Sequence, residues 1–109
     1  DSKQFEHIVD DRIAQSRSIL CKKELEYSRS YDRLHNFKRS GACQGKTPED
    51  ACVGMWMKHI ISIVDMVQDI EQDQTHEKNV WDEKLNDAHN YLYLLEGLIN
   101  ERYHNQEKI

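Results

Sequence analysis

The sequence predicts an all-α fold, a small bundle of three long helices plus a short helix or turn, assembling as an oligomer. Three observations lead there. Apolar residues recur at three- and four-residue spacing along most of the chain, and no segment sustains the alternation of a strand. Helix-breaking residues are few: the 109 residues include one proline and four glycines, with Gly41, Gly45 and Pro48 close together. The third observation is polarity. With 38% hydrophobic and 32% charged residues, a lone monomer would be marginal, and association would supply the missing burial.

Each element follows in chain order. Phe5, Ile8, Val9, Ile13, Ser16, Ile19 and Leu20 recur at helical spacing and predict a first helix from about residue 3 to 27. Residues 28–39 are aromatic and basic and read as a turn plus a short helix. The string S-G-A-C-Q-G-K-T-P is the one strong loop signal. Thr47 then serves as a helix cap, Pro48 as the first helical residue, and Glu49 and Asp50 as first-turn acids. The second helix runs from Pro48 to about Ile70, residues 72–78 form a polar connection, and a third helix runs from about Asn79 to Tyr103. The whole is read as a single helical domain, 1–109.

Composition narrows the function classes. No apolar run approaches the roughly 18 residues of a membrane span, and no signal peptide opens the chain, so the expected location is the cytoplasm. Residues 1–50 carry ten Lys/Arg and nine Asp/Glu (+1); residues 51–109 carry five and eleven (−6), together the net charge of −5. An acidic second half without a basic patch disfavours duplex nucleic acid and suits divalent cations. Cys21, Cys43 and Cys52 are odd in number and lack C-x-x-C spacing, which argues against a disulfide framework or zinc knuckle and for reduced, buried thiols.

Candidate chemistry sits where polar groups interrupt faces that should be buried. On the second helix, Cys52, Met55, Trp56, Ile60, Ile63, Met66, Val67 and Ile70 occupy one side and Met57, Ile61 and Val64 another. The polar remainder is a narrow stripe of Lys58, Ser62, Asp65 and Asp69. A helix apolar nearly all round is a central helix, and its stripe faces either solvent or a lined cavity. On the third helix, Trp81, Leu85, Leu92 and Ile99 form a seam. Glu83, Asp87, Tyr91, Leu94 and Leu98 form a second row with Asn90 beside it, and its apolar end calls for burial. Asp65/Asp69 and Glu83/Asp87 are like-charge pairs at i,i+4, unfavourable unless solvated or compensated by a cation. Four oxygen donors on facing helices suit Mg²⁺ or Mn²⁺, with water and phosphates completing the shell. His59 lies on the core side and reads as a packing residue.

The acidic pairs on consecutive helices resemble the all-α nucleoside triphosphate pyrophosphohydrolases, the MazG and dimeric dUTPase superfamily, with E-E-x-x-E on one helix and E-x-x-D on the next. Here the first motif has Asp for Glu and the second is spaced E-x-x-x-D. A closer resemblance, to short proteins encoded mostly by phages and prophages, covers nearly the whole chain. It is carried by Lys23-x-x-Glu26-Tyr27, Asp32-Arg33-Leu34-His35-Asn36-Phe37-Lys38, Lys58-His59-x-x-Ser62-x-x-Asp65 and Trp81-x-Glu83-Lys84-x-x-Asp87-x-x-Asn90-Tyr91.

The resemblance implies a Mg²⁺-dependent pyrophosphohydrolase converting an NTP or dNTP to monophosphate and pyrophosphate. Asp65, Asp69, Glu83 and Asp87 would hold the metal, Glu83 and Asp87 being the catalytic pair, and the metal would lower the pKa of the attacking water. Arg33, Lys38 and Lys58 would neutralise phosphates, while His35, Asn36, Phe37 and Asn90 would contact base and sugar. A homodimer or homotetramer with sites near subunit contacts is expected. The alternative is a phage-type binding protein that sequesters a signalling nucleotide, or blocks a host defence protein, without catalysis. The string D-R-L-H-N-F-K also reads as a capped turn whose aromatics anchor it to the core, and the acids as solvated groups on a small assembly protein.

Overall fold

Asp1 caps the first helix: its carboxylate accepts the Gln4 amide at 2.9 Å, and the Gln4 side chain accepts in return from the Asp1 backbone nitrogen. The computed structural model describes residues 1–21 and 34–107. The chain separates into two compact units, Asp1–Arg33 and Leu34–Ile109. In the first, α1 spans Ser2–Leu20, and Phe5, Ile8, Val9, Ile13 and Ile19 of its apolar stripe are exposed. The expected extension to residue 27, and the part of the aromatic, basic turn before residue 34, lie outside the described residues.

The second unit holds α2 (His35–Gln44), α3 (Pro48–Glu71) and α4 (Lys78–Glu107). Every element among the described residues is helical, so the all-α class and a four-helix count stand. The expected loop is shorter than its composition suggests. Residues 40–44 continue α2, and only Gly45, Lys46 and Thr47 connect it to α3. Gly45 takes the left-handed conformation at φ 68°, while the Lys46 amide donates to the Gly41 carbonyl at 2.7 Å, closing a Schellman-type end. Gly41 is a glycine for a different reason: a Cβ there would stand 2.7 Å from the Lys46 oxygen and 2.9 Å from the Thr47 oxygen. The residue marks a close approach inside a helix rather than a turn.

The start of α3 follows expectation, with the Thr47 hydroxyl accepting the Asp50 amide at 3.1 Å and Pro48 at the first helical position. Its end is closed without glycine. Asp73 adopts φ 58°, and the Gln74 amide donates to the Asp69 carbonyl at 2.9 Å. α4 runs 30 residues, longer by a turn than its sequence signal, because the polar segment after Tyr103 remains helical.

The core is small. Leu34, Phe37, Cys52 and Leu98 form it, with Tyr91, Leu94 and Leu95 packed around them. The second row of α4 is thus the packed one, as its apolar end required. The expected seam is looser: Leu92 and Ile99 are exposed. On α3, Cys52 and Met66 are buried against the unit, whereas Met57, Ile61 and Val64 form a second apolar face left open. Cys52 is a buried thiol as expected; Cys21 and Cys43 are free but exposed.

Two outcomes follow from this packing. In urea titrations Gly41→Ala destabilises by about 1–3 kcal/mol, because backbone oxygens cannot yield to the new methyl. Gly54→Ala, whose Cβ meets nothing within 4 Å, stabilises by roughly 0.5–1 kcal/mol through reduced backbone entropy. A thiol reagent modifies Cys21 and Cys43 rapidly in the native protein and Cys52 only on unfolding; three equally fast thiols would refute the Cys52 packing.

Candidate functional site

Tyr91 fixes how α3 and α4 meet. Its carbonyl accepts the Cys52 thiol at 3.6 Å, and its ring centroid lies 4.9 Å from that of His59 and 6.1 Å, edge-on, from that of Phe37. The two helices run antiparallel, since Glu49 meets Arg102, Cys52 meets Tyr91 and His59 meets Asp87. At about 100° per residue, Glu83, Asn86, Asp87 and Asn90 fall on one flank of the α4 line that faces α3. Lys58, Ser62, Asp65 and Asp69 fall on the flank of α3 with the same angular sense. In an antiparallel pair, these flanks lie on the same side.

Sharing a side does not bring the four carboxylates together. Asp69 is 2.8 Å from His76 Nε2, and Asp87 is 3.9 Å from His59 Nδ1. Asp65 and Glu83 are exposed. Among the described residues, no group of three or more His, Cys, Asp or Glu side chains is placed to hold a metal ion. The donor chemistry suits a hard cation, but the placement does not fit a preformed Mg²⁺ or Mn²⁺ site: two acids face histidines and the others stand apart.

The remaining expected contacts divide in the same way. His35 and Asn36 are exposed on the first turn of α2, and Lys58 is exposed on α3. Phe37 is a core side chain with its edge against Tyr91, so its ring offers no open stacking face. Lys38 Nζ is 2.8 Å from Glu101 Oε2. Arg33 lies outside the described residues. A hollow of about 360 Å³ is lined by Lys38, Glu49, Leu98, Glu101 and Arg102, but both its cations are already bridged to carboxylates.

The unexpected feature is a pair of amides. Asn86 and Asn90, 8% and 7% exposed, lie one turn apart on α4, and neither Oδ1 has a hydrogen-bond partner. Burying an unsatisfied polar atom costs about 1–3 kcal/mol, so two on one face form a conspicuous polar interruption of the packed row. Asn90 was legible from its place beside Asp87 and Tyr91. Asn86 carries no signal in the sequence beyond its position four residues before Asn90, which puts it on the same face.

Burial raises the Tyr91 hydroxyl above its ordinary pKa, with Asp87 and the Cys52 thiol adding to the shift. Cys52 is likewise raised, chiefly by burial and then by Glu49, which keeps it a thiol. Glu49 moves down because Arg102 donates to its carboxylate, through Nη2 at 2.7 Å and through Nε.

Comparison of the chain with protein-family models, curated proteins and solved structures returned no match.

The Glu49–Arg102 pair sets an acid limb. Its folded-state pKa is depressed from 4.5, so the stability it adds is fully present above that value and is lost as pH falls through the folded pKa. In Arg102→Gln the Glu49 carboxyl titrates at higher pH by NMR, and the loss of stability on acidification below about pH 4.5 is shallower. An unchanged Glu49 titration would show that Arg102 does not hold the carboxylate in solution.

Proposed function

We propose that this chain binds a nucleotide over the polar stretch of α4, without a resident metal. The observation that supports this most is the buried, unpartnered pair of Asn86 and Asn90 amide oxygens beside Asp87 and the His59–Tyr91 ring pair. A side-chain amide pairs an acceptor with two donors, the complement of a nucleobase edge. Lys58, exposed on the same side of the helix pair, supplies a cation for phosphate. Retention of an intact nucleotide, as in a sponge for a signalling nucleotide, requires the two amides to be uncovered on binding but leaves Asp69 and Asp87 beside their histidines.

One observation favours a second reading, the Mg²⁺-dependent pyrophosphohydrolase. Asp65/Asp69 and Glu83/Asp87 line the same side of the α3/α4 pair, as that chemistry would require. For it to operate, Asp69 and Asp87 must leave His76 and His59, because both carboxylates are otherwise engaged or flanked.

A single incubation separates the two. The protein is mixed with NTPs, dNTPs and cyclic nucleotides, with Mg²⁺ or with EDTA, and both the supernatant and the heat-denatured protein are chromatographed. The binding reading predicts intact nucleotide released only on denaturation, indifferent to EDTA, and weakened about tenfold or more by Asn90→Ala, the effect of one lost buried hydrogen bond. Monophosphate and pyrophosphate formed only with Mg²⁺, and abolished by Asp87→Asn with helical circular dichroism intact, would replace it with the hydrolase. Neither outcome in any mixture would refute both.

A further inference from the structure

α3 carries two apolar faces, and the unit of α2, α3 and α4 uses only one. Cys52, His59 and Met66 mark the face packed within the unit. Opposite it, at about 100° per residue, lie Met57, Ile61 and Val64, which are 43%, 55% and 47% exposed. Half-buried Val53 and Ile60 border them. Positions 57, 61 and 64 repeat at four and three, the spacing that keeps a straight seam along a helix.

We infer that this face is covered by the same face of a second copy of the chain, with the two α3 helices antiparallel about a dyad near Ile61 and Ser62. Two observations select that occupant and that orientation. The first is charge. Lys58 and Asp65 are exposed on one flank of the seam, seven residues apart. A dyad midway between them sets Lys58 of each copy at the level of Asp65 of the other, and an antiparallel two-fold pair keeps like flanks on like sides. Both ion pairs then form at once, whereas a parallel two-fold pairing carries the two charged flanks to opposite sides, where Lys58 and Asp65 of different copies cannot meet. The same dyad staggers Met57 against Val64 of the other copy, so that the apolar side chains alternate along the contact.

The second observation is area. Met57, Ile61 and Val64 are close to half exposed and contiguous over two turns of α3, an apolar centre of the kind around which each partner contributes roughly 800 Å² to a stable interface. The core of the unit is correspondingly thin, with Leu34, Phe37, Cys52 and Leu98 at its centre. This inference does not rest on nucleotide binding. It gives Lys58 and Asp65 an intersubunit role whether or not they also meet a ligand.

Sedimentation equilibrium of the full chain tests it, alongside Ile61→Asp, Lys58→Glu, Asp65→Lys and the double reversal Lys58→Glu/Asp65→Lys, each checked for helical circular dichroism. The expected result is a dimer that Ile61→Asp abolishes and that each single reversal weakens tenfold or more. The double reversal restores it, because both pairs re-form with exchanged signs. Four results would overturn the inference: a wild-type monomer at tens of micromolar, a dimer indifferent to Ile61→Asp, a dimer that the double reversal fails to restore, and a dimer lost on Ile8→Asp in α1 while Ile61→Asp leaves it intact.

Discussion

The meeting of Cys52, Phe37 and Tyr91 is the constraint on which the helical unit depends. Tyr91 presents a carbonyl to the Cys52 thiol, an edge-to-face contact to Phe37 and a tilted ring contact to His59, so three helices are registered at one residue. The core is too small to fix helix rotation by volume alone, and directional contacts take that task. Once Tyr91 is turned toward α3, the rest of α4 follows at its own pitch. Leu98 enters the core, Arg102 reaches Glu49, and Asp87 stands before His59. The polar flank of α4 is a consequence of that rotation.

Much of this was legible in the sequence, and the remainder shows what periodicity omits. The cap of α3 could be read because Thr47, Pro48 and the first-turn acids act locally, through bonds to their own backbone. The buried row of α4 could be read because Tyr91, Leu94 and Leu98 recur at the helical interval. The sequence shortens α2 because Gly41 looks like a breaker, whereas its lack of a side chain serves the backbone of Lys46 and Thr47. Phe37 and Lys38 resembled ligand contacts because residue type cannot distinguish an aromatic that packs from one that stacks, or a lysine already bridged from one awaiting phosphate. The exposure of Cys21 and Cys43 was likewise outside the reach of composition.

The acidic pairs illustrate the same limit in electrostatic form. Spacing placed Asp65 with Asp69 and Glu83 with Asp87, and the antiparallel packing does set both pairs on one side. What spacing could not show is that one carboxylate of each pair stands beside a histidine. His76 approaches Asp69 from the corner after α3, and His59 approaches Asp87 from the facing helix. The polar side of the helix pair therefore combines flanked carboxylates with the buried, unpartnered amide oxygens of Asn86 and Asn90.

α3 is the common partner of both other helices in its unit, and its neighbours in space are its neighbours along the chain. Such a topology asks little loop-closure entropy of the chain, since each docking event joins segments separated by a short turn. α2 and α3 can pair through Gly41 and the Thr47 cap before α4 exists as an ordered helix. During synthesis, the amino-terminal hairpin of this unit would thus emerge from the ribosome with its scaffold already set. The polar flank, which needs α4, would be the last part to form.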